Sequence, residues 1–374
     1  MIRPGQTIGI VGGGQLGRMI ALAGRQMGYR VHVLDPTPDC PAGQAADAQT
    51  TAAYDDLTAA RNFAAGVDVV TFEFENVPSR TLAVIEEKRP VRPSPFVLDT
   101  TRHRLREKTF LRDNGFPVAP FREVRDVASL TTAVADLGTP CILKTAEFGY
   151  DGKGQSKIDR PEQVAEAWAA LNCPLGVLEG FVRFQKEISV IVARTEAGES
   201  KTFEPFENVH THHILDTTIS PARINAGLSE RATTLARAIA GKIGLIGLLC
   251  VELFVVGNDL IVNELAPRPH NSGHLTGDAC VTSQFEQHLR AVCGLPLGAT
   301  TLLRPAAMAN LLGDLWAGGE PKWEKALADP GVKLHLYGKR AARPGRKMGH
   351  LNATAATADE ACAAVLAARA ALTT

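Results

Sequence analysis

Apolar positions along the chain fall first into short continuous runs divided by turn-forming residues. Thr7-Ile-Gly-Ile-Val11 and Arg30-Val-His-Val-Leu34 predict two buried strands, and the stretch between them, closing near Gly28, predicts a helix. Continuous rather than alternating apolar runs belong to strands covered on both faces, so this strand–helix–strand unit predicts a parallel, doubly wound start. Val67 to Asn76 predicts a further strand, with Glu73 and Glu75 on one side by the two-residue period. The proline-containing stretch Arg89 to Pro95 then breaks the pattern as a linker. From Thr101 a helical segment carries Arg104, Leu105, Lys108, Phe110 and Leu111, and Gly115 with Pro117 stops it.

Beyond that point strands dominate. Pro140 to Thr145 predicts a strand ending in Lys144, Val177 to Val182 a short apolar strand, and Lys186 to Ala193 a longer one. Leu249 to Val256 and Leu260 to Leu265 flank Gly257-Asn258-Asp259 and predict an antiparallel hairpin. Val281 to Cys293 predicts an amphipathic helix with Phe285, Leu289 and Val292 on its core face, and residues 356 to 372 a final helix. The resulting expectation is an α/β chain in three parts: an N-terminal Rossmann-like parallel domain over 1–100, an α+β lid segment over 101–182, and a mainly antiparallel sheet domain over 183–374. A length of 374 residues is consistent with two or three cores.

Composition narrows the possible partners. Forty basic residues balance forty acidic ones, which leaves no bulk drive toward nucleic acid or membrane, so any affinity for anions must be local. Seven cysteines, scattered and never spaced Cys-x-x-Cys, argue against a disulfide framework and a zinc site and fit a reducing, cytoplasmic setting. No basic region precedes a long apolar stretch at the N-terminus, so no signal peptide is expected. Ile243 to Val256 is too short to span a bilayer and carries Glu252.

Three stretches carry candidate chemistry. If Gly257-Asn258-Asp259 forms the hairpin loop, Val256 faces Leu260 and Glu252 falls opposite Glu264. Like charges facing across a ladder, at about 4.5–5.5 Å between Cβ atoms, repel and give a bare sheet nothing. With the Asn263 amide they suit a hard divalent cation that completes its shell with phosphate and water, although an exposed, solvated sheet face is the plain alternative. The segment that follows, with Arg268, His270, Asn271, Ser272 and His274 between two prolines, suits a loop that holds an anion. Second, Phe148-Gly149-Tyr150-Asp151-Gly152-Lys153-Gly154-Gln155 after Lys144 offers backbone N–H groups and ammonium charge to phosphate, without the Gly-Lys-Ser/Thr of a Walker loop. Third, Gly12-x-Gly14-x-x-Gly17, with Asp35 at the ribose position, matches the dinucleotide fingerprint and keeps a nicotinamide oxidoreductase open. His210-Thr211-His212-His213 lies in an irregular polar stretch with no cysteine beside it, and the basic loop Gly338 to His350 is an anion site or a solvated turn.

The run Asn263-Glu-Leu-Ala-Pro-Arg-Pro-His-Asn-Ser-Gly-His274 resembles the signature of the ATP-grasp ligases of the 5-(carboxyamino)imidazole ribonucleotide synthase family, which act in de novo purine synthesis. Gly12 to Met19, Phe148 to Gln155 and Arg346 to His350 extend that resemblance over essentially the whole chain. It implies an ATP-grasp fold, ATP with Mg²⁺, and phosphorylation of bicarbonate to carboxyphosphate, which the amine of aminoimidazole ribonucleotide then captures. It also implies roles. Arg104, Lys144 and Gly149 to Gln155 would hold nucleotide phosphates, with Glu179, Gly180, Phe181, Val182, Glu187 and His210 on adenine and ribose, and Asn263 and Glu264 also at the nucleotide. Glu252 and Glu264 would ligate the metal; Lys153, Arg268 and His270 would act on carboxyphosphate or the amine. Gln15, Leu16, Glu73, Tyr150, Asp151 and Arg268 would line the ribonucleotide pocket, with Lys339, Arg346 and Lys347 for its phosphate. The family suggests a homodimer. Arg102-His103-Arg104 departs from the expected Asp-Arg pair before the nucleotide arginine. An ATP-grasp ligase for another acceptor is the nearest alternative.

Overall fold

The computed structural model describes residues 1–147 and 154–373. The N-terminal part is the parallel unit that the apolar runs predict. β1 (Thr7–Val11), β2 (Arg30–Leu34), β3 (Ala48–Thr50) and β4 (Val69–Phe72) form a parallel sheet in the order β3-β2-β1-β4. Helices α1 (Gln15–Gln26), α2 (Leu57–Ala65), α3 (Ser79–Glu86) and α4 (Pro95–Thr101) accompany it. β4 is shorter than the predicted strand, since the chain leaves the sheet at Glu73.

Next, α5 (Arg104–Asp113) leads into a smaller sheet, capped at its N-terminus by the His103 side chain on Arg106 N–H. That sheet contains β5 (Phe121–Val124), β6 (Cys141–Thr145), β7 (Gln155–Ile158) and β8 (Gly176–Gly180), with α6 (Val127–Leu137) and α7 (Val164–Leu171) packed against it. Its antiparallel order β5-β8-β6-β7 places Lys144 opposite Gln155 on one side and Val177 on the other.

The large sheet takes β9 (Lys186–Arg194), β10 (Ser200–Thr202), β11 (Phe206–Thr211), β12 (Ile214–Ser220), β13 (Gly247–Val256) and β14 (Asp259–Ala266), with α8 (Ala226–Lys242) between β12 and β13. α9 (Thr276–Ala279) and α10 (Gln284–Cys293) follow, then β15 (Ala306–Leu312), α11 (Trp323–Ala326), β16 (Val332–Leu336), β17 (Lys347–Thr354) and α12 (Ala358–Ala371). The strand order is β14-β13-β9-β11-β12-β15-β17-β16, with β10 paired to β9, and every pairing is antiparallel.

Two expectations need correction here. His210 lies on a strand, β11, at a bulge, and His212 and His213 make the tight β11–β12 turn with φ of 51° and 65°. The helix expected from Val281 starts at Gln284, because the Ser283 hydroxyl caps Glu286 N–H.

α10 welds the first and last parts together. Its Phe285, Leu289 and Val292 share a core with Ile8, Ile10, Leu16 and Ile20, and buried His288 meets Thr71 Oγ1 at 2.8 Å. None of the helices among the described residues is long and apolar enough to cross a membrane.

Candidate active site

A cavity of about 660 Å³ receives side chains from all three sheets. Gln15, Leu16 and Glu73 come from the N-terminal part, Lys144, Gln155, Glu179, Gly180, Phe181 and Val182 from the small sheet and the turn after it. The large sheet and its loops add Glu187, His210, Glu252, Asn263, Glu264, Arg268, His270 and Lys347, and α5 adds Arg104.

The β13–β14 hairpin brings Glu252 opposite Glu264 as the spacing predicts, by a different route. The turn holds two residues, so Val256 faces Asp259 rather than Leu260. A bulge beyond Leu253–Val262 takes up Asn263 and restores the register at the glutamates. Each carboxylate then gains a cationic neighbour: Glu252 Oε1 lies 3.0 Å from His270 Nε2, and Glu264 Oε2 lies 3.6 Å from an Arg104 guanidinium nitrogen. Burial alone would raise the Glu252 carboxyl, but His270 outweighs it and holds the group below the usual range.

α5 fixes this hairpin from behind. The Lys108 ammonium, 1% exposed, lies 3.2 Å from the Asn263 carbonyl oxygen and 3.2 Å from Glu179 Oε2, while Glu107 Oε2 accepts from Leu265 N–H at 3.0 Å. Lys144 Nζ reaches the same Glu179 oxygen at 3.1 Å. Burial opposes ionisation of Glu179, yet Lys108, Lys144 and Arg104 together push it down to about 2. Burial lowers Lys144 and raises Glu107, the latter helped by Glu264. Lys144 is thus preset by a buried charge network that also grips the hairpin bulge at Asn263.

The glycine loop is filled by the protein's own acids. Glu73 accepts from Gly14 N–H at 2.8 Å and Gly17 N–H at 3.2 Å, occupying the first turn of α1. Asp35 accepts from Gly13 N–H, Thr37 N–H and Tyr54 O–H at 2.7, 2.8 and 2.5 Å. A pyrophosphate and a ribose hydroxyl would have to displace both carboxylates, so this loop is not a dinucleotide site.

Residues 5–102 match the ribonucleotide synthetase preATP-grasp domain, 109–285 the ATP-grasp domain, and 306–364 the phosphoribosylaminoimidazole carboxylase C-terminal domain. The N5-carboxyaminoimidazole ribonucleotide synthase of Bacillus subtilis is 46% identical over 94% of this chain and 92% of its own. The chain belongs to the N5-carboxyaminoimidazole ribonucleotide synthase family. Its Brucella melitensis member is 45% identical over 94% of this chain and 96% of its own length. The crystal structure of the Staphylococcus aureus N5-carboxyaminoimidazole synthetase complexed with ADP overlays with a TM-score of 0.92 at 38% identity, covering 98% of each chain. The Aspergillus clavatus synthase in complex with ADP and 5-aminoimidazole ribonucleotide overlays at 0.91 with 32% identity, covering 99% of each.

The remaining family positions are distributed as follows. Glu187 pairs with His210 Nδ1, and that partner raises the imidazole against the burial that lowers it. Gly154 sits at the mouth of β7 with φ +70°. Lys339 Nζ donates to the Lys347 carbonyl at 2.6 Å beside the Tyr337 ring, and Arg346 donates to the Ala341 carbonyl at 2.8 Å; neither lines the cavity, whereas Lys347 does. Gly149, Tyr150, Asp151, Gly152 and Lys153 lie outside the described residues.

The structure also brings in residues that sequence reasoning did not single out for the site. Phe184 stacks on Phe254 at 4.5 Å between centroids, and Phe254, Phe184, Ile142 and Leu215 give the cavity an apolar wall. Lys108, four residues after Arg104, had a legible signal, because residues four apart share a helix face. The aromatic pair had none, since its two members meet only through the fold.

Proposed function

We propose that this chain carboxylates 5-aminoimidazole ribonucleotide at its exocyclic amine, consuming ATP and bicarbonate and releasing ADP and phosphate. The observation that supports it best is the bulged hairpin, which sets two carboxylates face to face under a loop bearing Arg268 and His270. A pair of glutamates with Asn263 beside them fits a magnesium ion, which Glu252 and Glu264 would hold and which would neutralise charge developing during phosphoryl transfer. Lys144 and Arg104 supply fixed positive charge for the phosphates, held in place by Glu179 and Glu264. The Phe184, Phe254 and Ile142 wall, next to the Glu179–Val182 turn, offers adenine an apolar slot, and the Glu187–His210 pair a polar edge for ribose.

In the first step a bicarbonate oxygen attacks the γ-phosphorus and the bond to ADP breaks. In the second the amine nitrogen attacks the carboxyphosphate carbon, the carbon–oxygen bond to phosphate breaks, and the nitrogen loses one proton. Arg268, Lys347 and His270 face the cavity where this anion would lie. Carboxyphosphate is short-lived in water, so the cavity has to exclude water while the amine attacks. The test is ADP release in the presence of magnesium, with the ribonucleotide and bicarbonate each supplied or withheld. Release that rises sharply only with the ribonucleotide, together with labelled bicarbonate in the product, is the expected result. ATP hydrolysis indifferent to that substrate would refute the assigned acceptor.

A further inference from the structure

Three of the side chains that build and brace the site leave one end of one helix. Arg104 opens α5 and lies 3.6 Å from Glu264, Glu107 accepts from Leu265 N–H, and Lys108 spans the Asn263 carbonyl and Glu179. Their placement depends on how the first turn of α5 is held. The leading N–H groups of a helix have no partner within it and take acceptors from outside. Arg104 N–H donates to the Ala146 carbonyl at 2.8 Å, and Arg106 N–H donates to Nδ1 of His103, the N-cap residue, at 3.4 Å. Serine, threonine, aspartate and asparagine are the preferred caps, and their oxygens accept throughout the neutral range. An imidazole nitrogen accepts only while it carries no proton.

His103 is 8% exposed, and charged groups bear on its ring from both sides. Arg106 of α5 and Arg102 just before it oppose a further positive charge, whereas Glu147, after β6, favours one. Glu147 is shared with Arg102 at 3.8 Å, and Asp99 of α4 lies 3.2 Å from Arg102 and 3.7 Å from Arg106. Burial, seconded by Arg106, holds the imidazole below its ordinary 6.5, so the neutral capping form is complete above pH 6.5 and is lost as pH falls below it. A proton on Nδ1 would set donor against donor and add positive charge to the positive end of the helix.

We infer that His103 is a positioning residue for nucleotide binding: its neutral imidazole seats the first turn of α5, and with it Arg104 and Lys108, and protonation releases them. The inference rests on the reading that Arg104 and Lys144 serve the nucleotide phosphates.

The test compares the wild type with His103→Asn, whose amide oxygen caps without titrating, and His103→Ala, which offers no acceptor. Calorimetric titration with magnesium-ATP gives Kd from about pH 5 to about pH 8, the range over which imidazoles change charge. Initial rates give KM for the ribonucleotide. At the alkaline end the wild type and the asparagine variant bind alike, and the alanine variant binds about fivefold more weakly, the worth of one cap. Toward the acid end the wild type weakens about fivefold relative to the asparagine variant, while the alanine and asparagine profiles run parallel. His210 and the nucleotide's own phosphates titrate alike in all three proteins, so the ratio of profiles isolates His103. A purely structural role shifts the melting temperatures of the variants and leaves the wild-type and asparagine profiles parallel. That result, or an equal loss in KM for the ribonucleotide, overturns the inference. If the alanine variant does not fold, the ratio of wild type to asparagine variant alone decides. A wild type that binds no magnesium-ATP even at the alkaline end overturns the nucleotide reading itself, and the two failures are therefore distinct.

Discussion

The loops Gly12–Gly17 and Arg268–His274 both have the sequence character of an anion cradle, and the fold treats them in opposite ways. In the first, the N–H groups of Gly13, Gly14 and Gly17 donate to Asp35 and Glu73, so the protein supplies its own anions. In the second, Arg268 Nε and both polar atoms of Asn271 are buried without partners beside the paired glutamates. A fingerprint tells where backbone donors converge; hydrogen-bond accounting tells whether they are still available. Glu73, which burial raises despite its two N–H donors, joins the first loop to the cavity wall.

The largest effect should come from cutting the network behind the hairpin that leads into the second region. Lys108→Met leaves Glu179 with less compensation in a buried site and costs about 3 kcal/mol or more in unfolding free energy, with KM for ATP raised. Chemical denaturation and initial-rate kinetics check both. The same variant changes the acid limb. Folded Glu179, at about 2, lies below its ordinary 4.5, so its stabilising contribution is complete above pH 4.5 and is lost as pH falls toward 2. The melting temperature of the wild type should fall across that window, and that of Lys108→Met should fall less.

Gly154→Val comes next in size. The backbone there has φ +70°, and an added Cβ would lie 2.7 Å from Thr145 Oγ1. Displacing the end of β7 misplaces the glycine loop that precedes it, and a loss of about a hundredfold in coupled turnover is expected, read as the ratio of labelled product to ADP. A smaller effect attends Glu73→Gln. Removing its charge from the start of α1 costs about 1 kcal/mol. KM for the ribonucleotide should rise severalfold while NADH still fails to bind, a result equilibrium dialysis would give.

Much of this was legible in the sequence, and the failures share a cause. The parallel start, the strand ending in Lys144 and the Glu252–Glu264 pair follow from apolar periodicity and spacing. The hairpin expectation reached the right pair through a wrong turn, because a bulge at Asn263 and a shortened turn compensate each other. Neither leaves a local sequence mark. The Phe184–Phe254 stack, the Lys108 bridge and the filling of the glycine loop by Glu73 join residues far apart in the chain, so tertiary packing alone sets them.

The most direct measurement is calorimetric titration of magnesium-ATP into the wild type, Glu264→Gln and Glu73→Gln. Nucleotide seated over the β13–β14 hairpin predicts affinity weakened about tenfold or more by Glu264→Gln and left essentially unchanged by Glu73→Gln. The reverse pattern, with Glu73→Gln abolishing binding and Glu264→Gln silent, would place the nucleotide on the glycine loop and contradict this account.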